Sequence, residues 1–274
     1  MTYQEYVDKI LTVNAVSEAF VVGYSLLSQP IYGAHVGSFD GRQAIVQCGI
    51  HAREYITSLL GAELLKYAAD HPFGGGAYFV FNANPDGVRL VLDGPSFIPC
   101  DAMRDYILGV NGGSDFSFYK ANANLVDLNT NFDAYWGGGQ ANVRCPSPSN
   151  FIGYYPMSER EVRVLSDFTR AVSPFATLSY HTKGEVVYYG FEGQSPEDKE
   201  KDERIAFRLS AVTGYTPIET ENSAGGYKDW CVDKLKIPAF TIEVAPSSAT
   251  HPVGIEFLPE LFEQNKNVLE ALFA

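Results

Sequence analysis

Along the chain, apolar residues recur with two different periods, and the period changes from segment to segment. Tyr3, Tyr6, Val7, Ile10 and Leu11 share one face of the Tyr3–Val13 stretch, the spacing of an amphipathic helix. Ala19–Leu27 and Ile31–Phe39 read as strands separated by a Ser-Gln-Pro turn. Gln43–Ile50 is an apolar, β-branched run interrupted by Gln47 and predicts a buried strand. Helical spacing returns over Glu54–Ala69, with Leu59, Leu60, Leu64 and Leu65 on one face and His71-Pro72 ending it. Ala77–Asn82 reads as a strand and Asn84-Pro85-Asp86-Gly87 as a turn. Residues 93–157 are rich in Gly, Asn, Asp, Ser and Pro and have little periodicity. A loop region of that length inside a compact domain is usually functional.

The second half resumes the alternation. Ser158–Val172 predicts a helix opened by a Ser158/Glu161 capping box. Phe175–Tyr180 and Glu185–Phe191 predict strands, Glu197–Val212 a charged helix, and Gly225–Leu235 a further helix. Ala239–Val244 is a strand and Pro259–Phe273 a closing helix. Strands alternating with helices, without a repeat or a linker, predict one α/β domain over residues 1–274.

Bulk properties narrow the function classes. The 46% hydrophobic content supports a sizeable core. A formal net charge of −13 argues against nucleic acid and anionic membranes as partners. No apolar run reaches the ~18 residues a membrane span requires. The N-terminus lacks a basic region followed by a hydrophobic stretch, so a cytoplasmic location is expected. The four cysteines have no paired spacing and fit free thiols in a reducing compartment. Cys48 and Cys231 read as buried small residues, and a Cys100–Cys145 bridge between loops stays open.

Candidate chemistry begins where the Gln43–Ile50 strand ends. His51 and Glu54 are three residues apart at a strand-to-helix junction, which puts an imidazole and a carboxylate on one side of the turn. Zinc accepts both, and a catalytic zinc takes three protein ligands and keeps one position open. His181 ends the strand begun at Phe175, facing either a cleft or a backbone carbonyl in the core. His35, His71 and His251 lie in polar or turn contexts and look ordinary. Glu243 interrupts an otherwise apolar strand. On its own it reads as an edge carboxylate facing water; beside a metal it is placed to act as a general base.

Together these stretches resemble the zinc metallocarboxypeptidases. His51-Ala52-Arg53-Glu54-Tyr55-Ile56-Thr57 resembles that family's zinc-binding turn, and Tyr180-His181-Thr182-Lys183-Gly184 its third-ligand strand. Asn84-Pro85-Asp86-Gly87, Val126-Asp127-Leu128-Asn129-Thr130-Asn131-Phe132 and Gly225-Gly226-Tyr227-Lys228-Asp229-Trp230 match further family segments in the right order. The resemblance implies a single domain whose twisted, mixed, eight-stranded-type sheet is flanked by helices. It also implies one Zn²⁺ held by His51, Glu54 and His181, with Glu243 as base. Arg53 is expected to line the cleft or, alternatively, to form a salt bridge that orders the turn.

The departures from the family bear on the substrate. The family's Asn-Arg pair, which grips a terminal carboxylate, reads Asn129-Thr130 here, and threonine offers no bidentate cation. Lys228 stands where a residue lines the family's specificity pocket, with Tyr227 nearby; Lys228 either meets a substrate carboxylate or is a solvated helix lysine. Arg144 is a relocated cation in a loop expected to border the cleft. Lys120 is the nearest cation for the family's electrophilic arginine. The texture is most like the bacterial γ-D-glutamyl-diamino-acid endopeptidase branch, which implies a cell-wall stem peptide cut between D-glutamate and meso-diaminopimelate. Other readings stay open: a metallocarboxypeptidase using Arg144, an aspartoacylase-like deacylase, and a non-catalytic peptide-binding relative.

Overall fold

The computed structural model describes residues 1–274. Its eight strands are β1 (Phe20–Tyr24), β2 (Pro30–Gly37), β3 (Gln43–Gln47), β4 (Gly76–Val80), β5 (Ala176–Thr182), β6 (Val186–Tyr189), β7 (Thr216–Glu219) and β8 (Ala239–Val244). They form one mixed sheet in the order β1-β2-β4-β3-β5-β8-β6-β7. The central strands β4, β3, β5 and β8 are parallel, whereas β1, β2 and β6 pair antiparallel at the flanks. Every residue of β5 is buried, as expected for a central strand covered on both faces. From β3 the chain proceeds first to β4 on one side and later to β5 on the other. The carboxyl ends of β3 and β5 therefore open a crevice at a topological switch point, where α/β sheets bind ligands.

The helices are α1 (Tyr3–Leu11), α2 (Ile56–Asp70), α3 (Pro85–Asp93), α4 (Asp101–Asn111), α5 (Arg160–Val172), α6 (Pro196–Thr213), α7 (Tyr227–Trp230), α8 (Leu258–Asn265) and α9 (Val268–Phe273). Helix α2 buries Ile56–Ala62, Leu64, Leu65 and Ala68, so it is clamped between sheet and neighbours rather than merely amphipathic. None of the helices is long and apolar enough to cross a membrane.

Several expected elements differ. Asn84-Pro85-Asp86-Gly87 is not an isolated turn but opens α3: Asn84 caps it by accepting from Gly87 N at 3.0 Å, and Pro85 takes the first helical position. Residues 93–157 contain α4, which buries only Ile107 and so leaves little periodic signature. The Ser158/Glu161 capping box does not form: α5 starts at Arg160, and the Ser158 hydroxyl donates instead to Glu159. Edge strand β7 was not anticipated, and the closing helix is divided into α8 and α9. All four cysteines are free, with Cys48 and Cys231 buried and Cys100 and Cys145 exposed.

The freed Glu161 carboxylate supports the loop region. It accepts from Leu26 N at 3.1 Å and from the Asn122 side chain at 3.3 Å. Burial, with Asp86 and Glu159 nearby, pushes its pKa from 4.5 up to about 7. A raised folded-state value means that this stability is present below pH 4.5 and lost as pH rises through about 7. Glu161→Gln is therefore expected to gain stability relative to the parent over that window, by up to about 3 kcal/mol. Denaturant unfolding at several pH values reads this out; a pH-independent difference would contradict the assignment.

Candidate active site

The metal turn is held from three directions. Gly49 has φ +63°, and a Cβ there would lie 2.6 Å from Ser58 Oγ, so the strand exit requires glycine. Gly49 N donates to Thr57 Oγ1 at 3.0 Å, and that hydroxyl donates to Glu54 O at 2.8 Å. Asn84 Nδ2 donates to Ile50 O at 3.1 Å and to Ala121 O at 3.0 Å. Ala52 N and Arg53 N donate to Lys120 O and Tyr119 O at 3.1 and 2.9 Å. The turn is thus stitched to both α3 and the long loop region.

Three candidate ligands converge there. His51 Nδ1 lies 3.0 Å from Glu54 Oε1, His181 Nδ1 lies 3.1 Å from Glu54 Oε2, and the two Nδ1 atoms are 3.2 Å apart. All three side chains are buried. Each imidazole has its other nitrogen engaged outward: His51 Nε2 with Asp127 Oδ1 at 3.2 Å, and His181 Nε2 with Ser179 Oγ at 3.3 Å. Two inward lone pairs and a carboxylate are the donor set a zinc ion accepts, and outward hydrogen bonds are how metal-binding histidines are oriented. Electrostatics point the same way. Although burial opposes it, Glu54 and Asp127 raise the His51 pKa to about 9, so the site draws positive charge. Burial would raise the Asp127 carboxyl, but His51 and Lys120 hold it well below the usual carboxylate range.

Asp127, part of the Val126–Phe132 motif, has no role that the sequence alone assigns. The signal available was an acidic residue at the start of Asp127-Leu128-Asn129, yet only the fold brings it to His51. Its other oxygen accepts from Asn150 N at 3.1 Å. Asp127→Asn is expected to weaken zinc binding ~10–100-fold, read by competition with a chromogenic chelator; unchanged affinity would remove Asp127 from the site.

Glu243 sits on β8 directly opposite His181 on β5. Its Oε2 is buried without a partner. Burial and the charge on Glu54 raise its pKa to about 8; a cation among the ligands offsets Glu54 and favours the ionised carboxylate. Lys120 and Arg53 both act on Glu243 electrostatically, so both belong to this neighbourhood. His251, set aside on sequence, belongs to it too: burial and then Arg53 lower its pKa to about 4, and its Nδ1 is buried without a partner.

The expected substrate-binding residues fare unequally. Asn129 Oδ1 accepts from Tyr227 N at 3.0 Å, and Thr130 Oγ1 donates to Asp127 O at 2.8 Å. Arg144 is on the adjoining loop, exposed, donating to Gly137 O at 3.3 Å. Tyr227 is corrected to a core residue: it is 0% exposed, packs against Phe132 and Trp230, and pairs with Thr169 Oγ1 at 2.8 Å. Lys228 is not a solvated lysine either. It is 5% exposed, donates to Gly190 O at 2.7 Å and pairs with Asp229 at 2.8 Å, so its charge is already compensated internally.

Buried histidines and a carboxylate around one point, a partnerless glutamate beside them, and a crevice at the sheet's carboxyl edge define a metallohydrolase centre. The zinc carboxypeptidase family model matches residues 3–267, and the chain belongs to that family of zinc peptidases. The γ-D-glutamyl-L-diamino acid endopeptidase 1 of Lysinibacillus sphaericus is 31% identical over 275 residues, covering 94% of this chain and 67% of the relative. The murein peptide amidase A of Escherichia coli K12 is 28% identical over 210 residues, covering 71% of this chain and 81% of the relative. Among solved structures, bovine thrombin-activatable fibrinolysis inhibitor superposes with a TM-score of 0.77 at 18% identity, covering 100% of this chain and 96% of that one.

Proposed function

We propose that this chain hydrolyses the γ-D-glutamyl–meso-diaminopimelate bond of cell-wall stem peptides, with Zn²⁺ held by His51, Glu54 and His181. The observation that carries the reading is Thr130. It stands where the family's carboxylate-gripping arginine is expected, and its hydroxyl is spent on the carbonyls of Asp127 and Phe151. A site without that cation has no bidentate grip on a terminal carboxylate, as suits cleavage within a stem peptide that continues beyond the diaminopimelate. The likeness to the Lysinibacillus endopeptidase supports the same conclusion.

Zinc, when bound, supplies Lewis acidity to water and to a carbonyl oxygen. Glu243 receives the proton of the attacking water on its partnerless carboxylate and passes it to the departing amine. Asp127 and Ser179 hold the two imidazoles with their Nδ1 atoms inward. Lys120, whose backbone carbonyl accepts from Ala52 N in the metal turn and whose charge acts on Glu243, serves in this reading to stabilise negative charge on the carbonyl oxygen.

The test is mass spectrometry of L-Ala-γ-D-Glu-meso-diaminopimelate, with and without a following D-alanine, incubated with the zinc-loaded protein. Release of L-Ala-D-Glu is expected. No such release from either, with release of C-terminal residues from α-linked peptides, would replace the reading with a carboxypeptidase.

A further inference from the structure

The groups assigned to catalysis leave polar atoms beside the triad without partners. Arg53 Nε and His251 Nδ1 are both buried and unbonded. A guanidinium carries five N–H donors. The hydrogen-bond acceptor that Arg53 has in the protein is Phe118 O, at 3.4 Å, and Glu54 Oε1 stands off at 4.0 Å from Nε. Most of its donor capacity is therefore unspent.

His251 reaches the same neighbourhood by a different route. The segment after Glu243 is latched to the end of β5 by Lys183, whose Nζ donates to Ser247 O at 2.5 Å and to Ala249 O. That latch returns His251 to within electrostatic reach of Arg53, Glu54, Lys183 and Lys120. Lys183 is spent on the two carbonyls; Arg53 is not. Asp127 approaches His51 from its Nε2 edge, whereas Arg53 stands beside Glu54, on the Nδ1 edge, with His251 in electrostatic reach of both. A chain of net charge −13 thus concentrates cations and an unpaired imidazole on one flank of its active site. Buried donors left unfilled cost free energy until a ligand fills them, and a guanidinium fork matches a carboxylate.

We propose that Arg53 and His251 form a subsite for a carboxylate carried by the acyl-side residue of the substrate, the residue that keeps the carbonyl of the broken bond. This rests on the γ-D-glutamyl reading above. A γ-linked glutamyl residue keeps its α-carboxylate free a few bonds from the reacting carbonyl, where an α-linked chain carries an amide. Arg53 contributes charge and paired donors; His251 contributes a donor at Nδ1. The subsite makes the acyl residue's free carboxylate a condition of efficient cleavage.

The experiment compares L-Ala-γ-D-Glu-meso-diaminopimelate with its counterpart bearing a carboxamide in place of the D-glutamyl α-carboxylate. The zinc-loaded parent is expected to favour the carboxylate in kcat/KM by ~10–100-fold, the range of charged hydrogen bonds. Arg53→Gln and His251→Ala should each move that ratio toward one, while zinc content stays stoichiometric. Arg53→Lys, which keeps the charge and loses the fork, should retain part of the preference. Equal cleavage by the parent, or a preference that survives both substitutions, overturns the subsite while leaving the γ-glutamyl bond standing. An α-linked acyl-Glu/acyl-Gln pair separates the two ideas: if that pair alone is cleaved, with Glu preferred, the bond assignment fails and the subsite stands. Calorimetric titration of the parent with L-Ala-D-Glu and with its α-amide gives a readout independent of turnover; equal affinities count against the subsite.

Discussion

Glu243→Gln is expected to lower kcat by about a thousand-fold, within the 10²–10⁴ range of general acid–base catalysis, with KM changed little and zinc retained. The substitution keeps the size of the side chain and removes its capacity to accept a proton. Glu243 lies across the β5–β8 pair from His181 and its Oε2 has no hydrogen-bond partner in the fold, so no structural bond is lost with the charge. A drop in kcat and kcat/KM together would mark an interaction made in the transition state. Activity within ten-fold of the parent would require another base. Loss of zinc along with activity would make Glu243 a support for the site rather than the proton carrier.

Removing the metal is expected to abolish hydrolysis and to loosen the fold locally. Chelation should reduce activity to background, and added Zn²⁺ should restore it. His181→Ala should bind no zinc under conditions that saturate the parent. The proposed ligands come from the turn after β3 and from the end of β5, so a bound ion would tie two central strands together. Ligand linkage predicts about 4 kcal/mol of added stability at a free zinc concentration a thousand times Kd, and a corresponding fall in Tm on stripping. Metal analysis of the purified variant, with melting curves of both forms, checks this. Stoichiometric zinc in His181→Ala would exclude His181 as a ligand.

Much of the fold was legible because strong periodicity survives averaging over neighbours. Strands β3, β5 and β8 and helix α2 announce themselves by apolar runs whose burial is nearly complete. The elements missed are those whose local signal is weak. Helix α4 buries one side chain. Strand β7 contains Pro217 and is largely exposed, pairing only with β6. Helix α3 begins with a proline and an aspartate, residues that serve turns equally well. The break between α8 and α9 at Lys266–Asn267 interrupts no apolar period.

The site divides along a similar line. The sequence by itself determined which residue types were available: an imidazole and a carboxylate three apart at a strand exit, a second imidazole ending a central strand, and a glutamate inside an apolar strand. These chemistries are so costly to bury unpaired that their positions carry information. Only the tertiary structure decided which neighbours they meet. It brought Asp127 to His51 and placed His251 within electrostatic reach of Arg53. It also enclosed Tyr227 in the core and gave Lys228 a carbonyl and a carboxylate to satisfy it. The physical reason is that a side chain's role depends on what faces it across the sheet or from a distant loop. Hydrogen bonds and charges act through space within a few ångströms, and residues that close are often far apart along the chain.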